Sequence, residues 1–401
     1  MTTSHSTHGR ARRLITRTTG AVLCLAMLQG CSTVRGWFGG DDKEDPTEPT
    51  ALADFTPTAS VSRIWTASAG EGEGRLGIRQ GPVVADGRVF AAAVDGGVTA
   101  YDLATGARAW HHGSELPLSG GPGAGEGLVV VGSLEGDVVA LDAATGAERW
   151  TAKVPNEVIA APVVGQGLVL VRSNDGRLTA FDAGSGDRRW FWNRELPSLT
   201  VRGNDSPVLG PGYVFIGNDD GTLAALALAD GRPLWDQVVS PADGRTELDR
   251  MADVDGAPVL DDTRLFASSY KGQTVAIDAP NGRVLWSSEN GGAGRVGAAS
   301  DRLVVADRGG VVWALDKASG SAYWSQPALA RRSTGSAAIH GDHAVVGDYD
   351  GYLHWLQLDT GAFAARARAG GDAIRGAPVV ADGILVVQDV GGDLSAWRLD
   401  P

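Results

Sequence analysis

Three observations in the sequence predict an all-β fold made of many short antiparallel strands. Glycine supplies 57 of the 401 residues, about twice the ordinary usage of roughly 7%, with no three-residue collagen period. A unit running from a glycine to a tryptophan fourteen positions later recurs along the chain, with successive glycine starts mostly 38 to 41 residues apart. Between these marks, short apolar runs alternate with Asp-Gly and Thr-Gly turn signals, as hairpins require. Four short strands per repeat of about 40 residues is the pattern of a propeller blade. Eight glycine starts therefore predict an eight-bladed β-propeller of four-stranded antiparallel blades.

The repeat is seen most plainly in GDVVALDAATGAERW at residues 136–150. Its relatives begin at Gly96, Gly176, Gly221, Gly272 and Gly310 and end at Trp110, Trp190, Trp235, Trp286 and Trp324. A seventh unit starts at Gly351 but carries Ala365 where the tryptophan belongs, and an eighth starts at Gly392 and reaches the last residue, Pro401, without its tryptophan strand. In six units a proline stands fourteen residues before the glycine, opening a Pro-Val-Val type strand, as at Pro162. The tryptophans are expected to fill one equivalent slot between blades. The repeated Asp102, Asp142, Asp182, Asp278 and Asp316 are expected to hydrogen-bond the turn that follows them. The Trp-Asp pairs of WD40 blades do not occur at these strand ends.

Ring closure is legible as well. The last unit lacks one strand, and residues 61–67, VSRIWTA, form an orphan tryptophan strand ahead of the first Pro-Val-Val run. The N-terminal strand should complete the last blade and remove the open sheet edge.

Ahead of the ring, residues 1–30 have the layout of an export signal, with a basic stretch to Arg17 and an apolar run over residues 21–28, too short to span a bilayer. The run ends in Leu28-Gln29-Gly30-Cys31, similar to the lipobox at which bacterial lipoproteins are cleaved and acylated, which marks Cys31 for lipidation. Cys24 would leave with the signal, so no intramolecular disulfide or cysteine chemistry remains. Residues 31–60 are rich in Gly, Pro, Thr and acid and read as a lipidated flexible tether, with the propeller over residues 61–401. Removing residues 1–30, which hold four arginines and no acid, takes the formal charge from −13 to −17. That balance argues against nucleic acid as a partner.

Two blade-to-blade connections are longer than the rest. The glycine starts are 45 and 51 residues apart across blades three to five, and the excess lies entirely between Trp190 and Pro207 and between Trp235 and Pro258. Consecutive long loops on a rigid ring must lie side by side, where partners are commonly met. They read PSLTVRGNDSP (residues 197–207) and RTELDRMADVDGAP (residues 245–258).

With the lipobox, the acidic tether, eight repeats, PSLTVRG, TELDRMADVD and VVGDYDGYLHWL (residues 345–356), the chain resembles the outer-membrane protein assembly factor BamB family, lipoprotein subunits of the β-barrel assembly machinery. The resemblance implies a non-catalytic scaffold facing the periplasm on the outer membrane. Its partner would be the BamA subunit, bound through the POTRA domains, with unfolded outer-membrane proteins as further partners. By motif match it places Leu199, Val201, Arg202, Asp253 and Asp255 on the BamA-binding face, with Val201 where a leucine is usual.

The repeat also resembles that of pyrroloquinoline-quinone dehydrogenases, larger enzymes holding cofactor and calcium in the central channel, and a carbohydrate- or peptidoglycan-binding propeller is a third reading. No catalytic residue, cofactor or metal ligand set is assigned from the sequence. The GxGxxG matches at residues 72–77 and 292–297 precede strands instead of opening helices. His340 and His343, like His111 and His112, offer too few ligands for zinc and read as solvated loop histidines.

Overall fold

The repeat folds because each of its runs has one structural use. In the second blade, Leu128–Ser133 and Asp137–Asp142 are apolar nearly throughout and lie between sheet faces, with Val129, Val130, Val138 and Ala140 fully buried. The outermost strand, Glu148–Lys153, alternates charged residues facing solvent with Trp150 facing the next blade. Charge on an exposed edge discourages pairing with foreign strands.

The computed structural model describes residues 48–201 and 205–400. Cys31, the signal, most of the tether and Arg202 lie outside the described residues. The described strands form eight four-stranded sheets, seven of them built from consecutive strands. The eighth joins the N-terminal strand β1 (Val61–Ser68) to the last strand of the chain (Asp393–Leu399), as the orphan tryptophan strand predicted. Its register is that of the other blades. In blade two Ala140 faces Trp150 while Leu141 faces Glu148, so Arg149 is an extra bulged residue. In blade eight Ala396 faces Trp65 and Trp397 faces Arg63, so Ile64 is the bulge. Such a bulge sharpens strand twist, and β1 reproduces it from the other end of the chain.

The core is divided among eight seams, one between each pair of neighbouring blades. At seven of them a tryptophan closes the outer end, each donating its indole N–H to a backbone carbonyl of the next blade: Trp65 to Leu103, Trp110 to Ala143, Trp150 to Ala183, Trp190 to Leu228, Trp235 to Ala279, Trp286 to Lys317 and Trp324 to Leu358, at 2.7 to 3.2 Å. Each ring lies against a turn glycine in the left-handed region. At Gly231, φ +70°, a Cβ would stand 2.5 Å from the ring of Trp190. The aspartates behave as the turn chemistry demands: Asp142 Oδ1 accepts from the Thr145 amide and hydroxyl at 2.9 and 2.8 Å.

Ala365 now has its reason. Blade eight has no Thr-Gly turn to receive a tryptophan from blade seven, because the two chain ends meet there, with Asp400 accepting from the Ser60 and Ser62 hydroxyls at 2.7 and 2.8 Å. Ala59 and Val61 pack into that seam with Ala364, Ala365 and Leu399, and the Thr58 and Ala59 amides both donate to the Ala364 carbonyl. An indole at position 365 would occupy the same space.

Residues 50–59, placed in the tether by composition, run against blade seven. Phe55 stacks on Phe363 at 5.3 Å, Arg332 donates to the Thr50 carbonyl, and Arg366 donates to that of Ala53. Beneath them lies a buried network in which Asp348 accepts from Arg332 Nε at 2.8 Å and His354 Nε2 at 2.9 Å, while His354 Nδ1 accepts from Arg366. The residue 345–356 motif thus anchors the first described stretch of the chain. The solvated reading of His340 is corrected: it is buried, accepting from Trp355 and bonding the Gly383 carbonyl, because its turn is covered by blade eight.

In the connection from blade eight to blade one, buried Glu73 accepts the Gln80 amide at 2.8 Å while its other oxygen has no partner among the described residues. Burial raises its pKa, against the Gln80 hydrogen bond and the attraction of Arg375 and Arg79. A carboxyl raised on folding contributes stability below its unfolded pKa and loses it as pH rises through the folded value. Melting temperature measured at about pH 4.5 and 7.5, spanning the ordinary Glu range of about 4.3 upward, should therefore fall in the native chain relative to Glu73→Gln. A pH-independent difference between the two proteins would contradict this.

Candidate functional site

In a four-stranded antiparallel blade, the turn between the second and third strands and the connection to the next blade emerge at the same end. The two long connections therefore meet each other and the turn at residues 218–221 of blade four. They are hydrogen-bonded into one platform. Ser198 Oγ donates to Glu247 at 2.6 Å, the Val201 amide to Asp253 Oδ1 at 2.8 Å, and the Ala257 amide to Asp205 Oδ2 at 2.9 Å.

The second connection carries a short helix, α1 (Glu247–Arg250), capped at Thr246, whose hydroxyl accepts the Asp249 amide while the Asp249 carboxylate accepts the Thr246 amide. This reciprocal capping box explains why a four-residue helix forms in TELDR. It projects Leu248, 67% exposed, beside the first connection, where Leu199 is 40% and Leu196 38% exposed. Single exposed leucines are ordinary; three on two cross-bonded loops concentrate apolar surface at one end of the ring, and concentrated exposed apolar surface is what marks interaction sites.

The five residues carried over by motif are placed differently from one another. Leu199 is at the surface and Val201 half-buried beside it. Arg202 lies outside the described residues. Asp253 and Asp255 are at 0% exposure. In this structure these two aspartates face inward, and Asp253 acts on the surface through the Val201 amide that it holds. Leu248 escaped the sequence reading because nothing in a lone leucine of TELDRM distinguishes a solvent-facing helix position from a buried one.

Asp219, in the blade four turn, joins them: one carboxylate oxygen from each of Asp219, Asp253 and Asp255 lies within 4.8 Å of the others. Arg172, from Leu168–Ser173 of blade three, enters the same interior, 4% exposed, and donates Nη2 to Asp219 at 3.2 Å. Burial pulls the Arg172 pKa below the guanidinium range and pushes that of Asp219 up, each against the attraction of the other. Desolvation exceeds the Coulomb gain on both sides, as is common for buried pairs. Burial raises Asp253 to about 6, opposed by the amide bond from Val201, and raises Asp255 to about 8, with repulsion from Asp253 adding to it. Asp253 Oδ2 and both oxygens of Asp255 have no hydrogen-bond partner among the described residues.

The central channel opens beside this cluster. A cavity of about 400 Å³ is lined by the first strands of the blades, including Pro82, Pro122, Pro162 and Pro207, with Arg79, Arg295 and Arg375. None of these three arginines makes an ion pair among the described residues.

The ring has counterparts among solved structures. A crystal structure of BamB from Moraxella catarrhalis superposes with a TM-score of 0.77 at 27% identity, covering 84% of this chain and 100% of that one. A quinohemoprotein alcohol dehydrogenase from Comamonas testosteroni, with a TM-score of 0.67 at 18% identity over 84% of this chain and 76% of its own, shares the fold alone. In sequence, the outer membrane protein assembly factor BamB of Xanthomonas campestris is 58% identical over 93% of this chain and 95% of its own length. That of Pseudomonas aeruginosa is 41% identical over 94% and 98%. The family model described as outer membrane protein assembly factor BamB matches residues 58–118, 94–326 and 308–401. Matched in overlapping stretches from the chain-closing strand to the last residue, this chain belongs to the outer membrane protein assembly factor BamB family.

Proposed function

We propose that this chain is a non-catalytic scaffold of the outer-membrane β-barrel assembly complex. It docks to the POTRA domains of BamA through its two long loops and assists folding and insertion of outer-membrane proteins. Lipid on Cys31 would hold it to the outer membrane facing the periplasm. The observation that carries the docking role is the platform itself: two loops, cross-bonded and braced from below, presenting Leu199 and Leu248 on a rigid ring. Val201 and Arg202 complete the face, with Asp253 and Asp255 holding it in shape. Exposed apolar anchors beside polar rims are where interface energy concentrates, and extended loop backbone suits pairing with a sheet edge of the partner.

The test is affinity of the purified chain for the POTRA domains. Leu199→Asp combined with Leu248→Asp should weaken binding by at least about 2 kcal/mol, roughly 30-fold, with melting temperature unchanged because both side chains face solvent. Asp253→Ala should weaken binding too, but with faster amide exchange at Val201, since it removes the acceptor of that amide. Full binding by a Leu199, Arg202, Asp253 triple alanine variant would overturn the face assignment. Turnover of an alcohol or sugar with added quinone, calcium and a dye acceptor would favour the dehydrogenase reading instead.

A further inference from the structure

We propose that Asp219, Asp253 and Asp255 form a binding site for one divalent cation of calcium size, beneath the two long loops. The three carboxylates come from separate pieces of chain: Asp219 from a blade four turn, Asp253 and Asp255 from the connection to blade five. All are buried, at 5%, 0% and 0% exposure, and one oxygen from each lies within 4.8 Å of the others. Calcium takes six to eight oxygens in a flexible shell and is bound directly by carboxylates, whereas magnesium demands a near-ideal octahedron and keeps several of its waters, which a fully buried cluster leaves little room for. The donor set is entirely oxygen, which selects hard cations over zinc or copper.

A second observation points to a ligand here. Asp255 is fully buried, and neither of its carboxylate oxygens receives a hydrogen bond from the described residues. Asp253 Oδ2 is in the same condition, although its Oδ1 is satisfied by Val201. Buried carboxylate oxygens ordinarily find donors or metals. Among the described residues the one cation in contact, Arg172, is paired to Asp219, so the three carboxylates, once ionised, set three negative charges against one positive charge. Among the described residues the next charges out are Asp205 and Arg79, one of each sign, and Asp220, which is itself paired to Arg194. A single divalent ion neutralises the remainder. It would also tie the blade five connection to blade four, bracing the segment from which Asp253 holds Val201. The cation site stands independently of the docking role, because it is defined by interior groups alone.

The experiment is calorimetric titration of the full-length, detergent-solubilised chain, stripped with chelator, using calcium chloride and separately magnesium chloride. One calcium per chain is expected, with a Kd of about 10⁻⁴–10⁻³ M, the range of extracellular calcium modules, and a rise in melting temperature. Magnesium should bind at least about tenfold more weakly. Asp255→Asn, nearly isosteric, should weaken calcium binding at least about tenfold while the ion-free protein keeps its far-ultraviolet circular dichroism; Asp219→Asn is the second variant. No saturable calcium binding by the native chain up to about 10 mM, well above that Kd range, would overturn the site. Binding unchanged in folded Asp255→Asn or Asp219→Asn would do the same by moving the ion to surface acids. Equal magnesium affinity would overturn the assignment of a calcium-sized ion.

Discussion

Replacing Arg172 with leucine is expected to cost about 3–5 kcal/mol of stability, the usual result of removing one partner of a buried ion pair. In a ring of this size that corresponds to a melting temperature lower by roughly 4–7 °C. Among the described residues the guanidinium is the one cation in contact with the interior carboxylates, pairing with Asp219 at 3.2 Å, both side chains 4% exposed. Its loss leaves Asp219 beside Asp253 and Asp255 with no counter-charge in contact among the described residues. The pair need not stabilise the ring relative to an apolar interior, since burial opposes the charge of both members. The penalty arises from stranding one of them. Differential scanning calorimetry of Arg172→Leu and of Arg172→Leu with Asp219→Leu checks this reasoning. The double substitution should recover part of the loss, and a single variant as stable as the native chain would refute the assignment.

The second large effect is expected at the tryptophan slots. Trp190→Ala should cost about 3–5 kcal/mol, the range for emptying a large aromatic site. The ring is 8% exposed, fills the seam between blades three and four, and bonds the Leu228 carbonyl at 2.9 Å. Gly231→Ala attacks the same contact from the other side, because its Cβ would stand 2.5 Å from the indole. The two substitutions should therefore be non-additive. In the Trp190→Ala background the clash is gone, and Gly231→Ala should retain only its backbone cost at φ +70°, about 1–2 kcal/mol. Additive losses in a double-mutant cycle of thermal unfolding would mean that glycine and indole do not share the slot as described.

Several features of the chain are legible one repeat at a time. Glycine starts, Asp-Thr-Gly turns and alternating outer strands are local patterns, repeated until their number becomes the blade count. The missing final strand and the orphan VSRIWTA strand are complementary defects of one period, so closure follows as well. The excess length between Trp190 and Pro207 and between Trp235 and Pro258 placed two loops side by side, and their hydrogen bonds through Ser198, Val201 and Asp205 bear that out.

Other features have no local signature. Nothing near Ala365 in the sequence says why the seventh unit lacks its tryptophan; in the ring, the alanine makes room for Ala59 and Val61 arriving from the opposite end of the chain. Residues 50–59 have the composition of a tether and are nevertheless held by Arg332, Arg366 and Phe363.

The sequence by itself determined the ring, its blade number, its closure and the location of its two long loops, because each is a count of periodic marks. Only the tertiary structure decided which way Asp253 and Asp255 face, that Asp219 and Arg172 join them, and that Leu248 stands in solvent. The reason is physical: loop side chains follow no period, and their burial depends on which distant turn the closed ring brings beneath them.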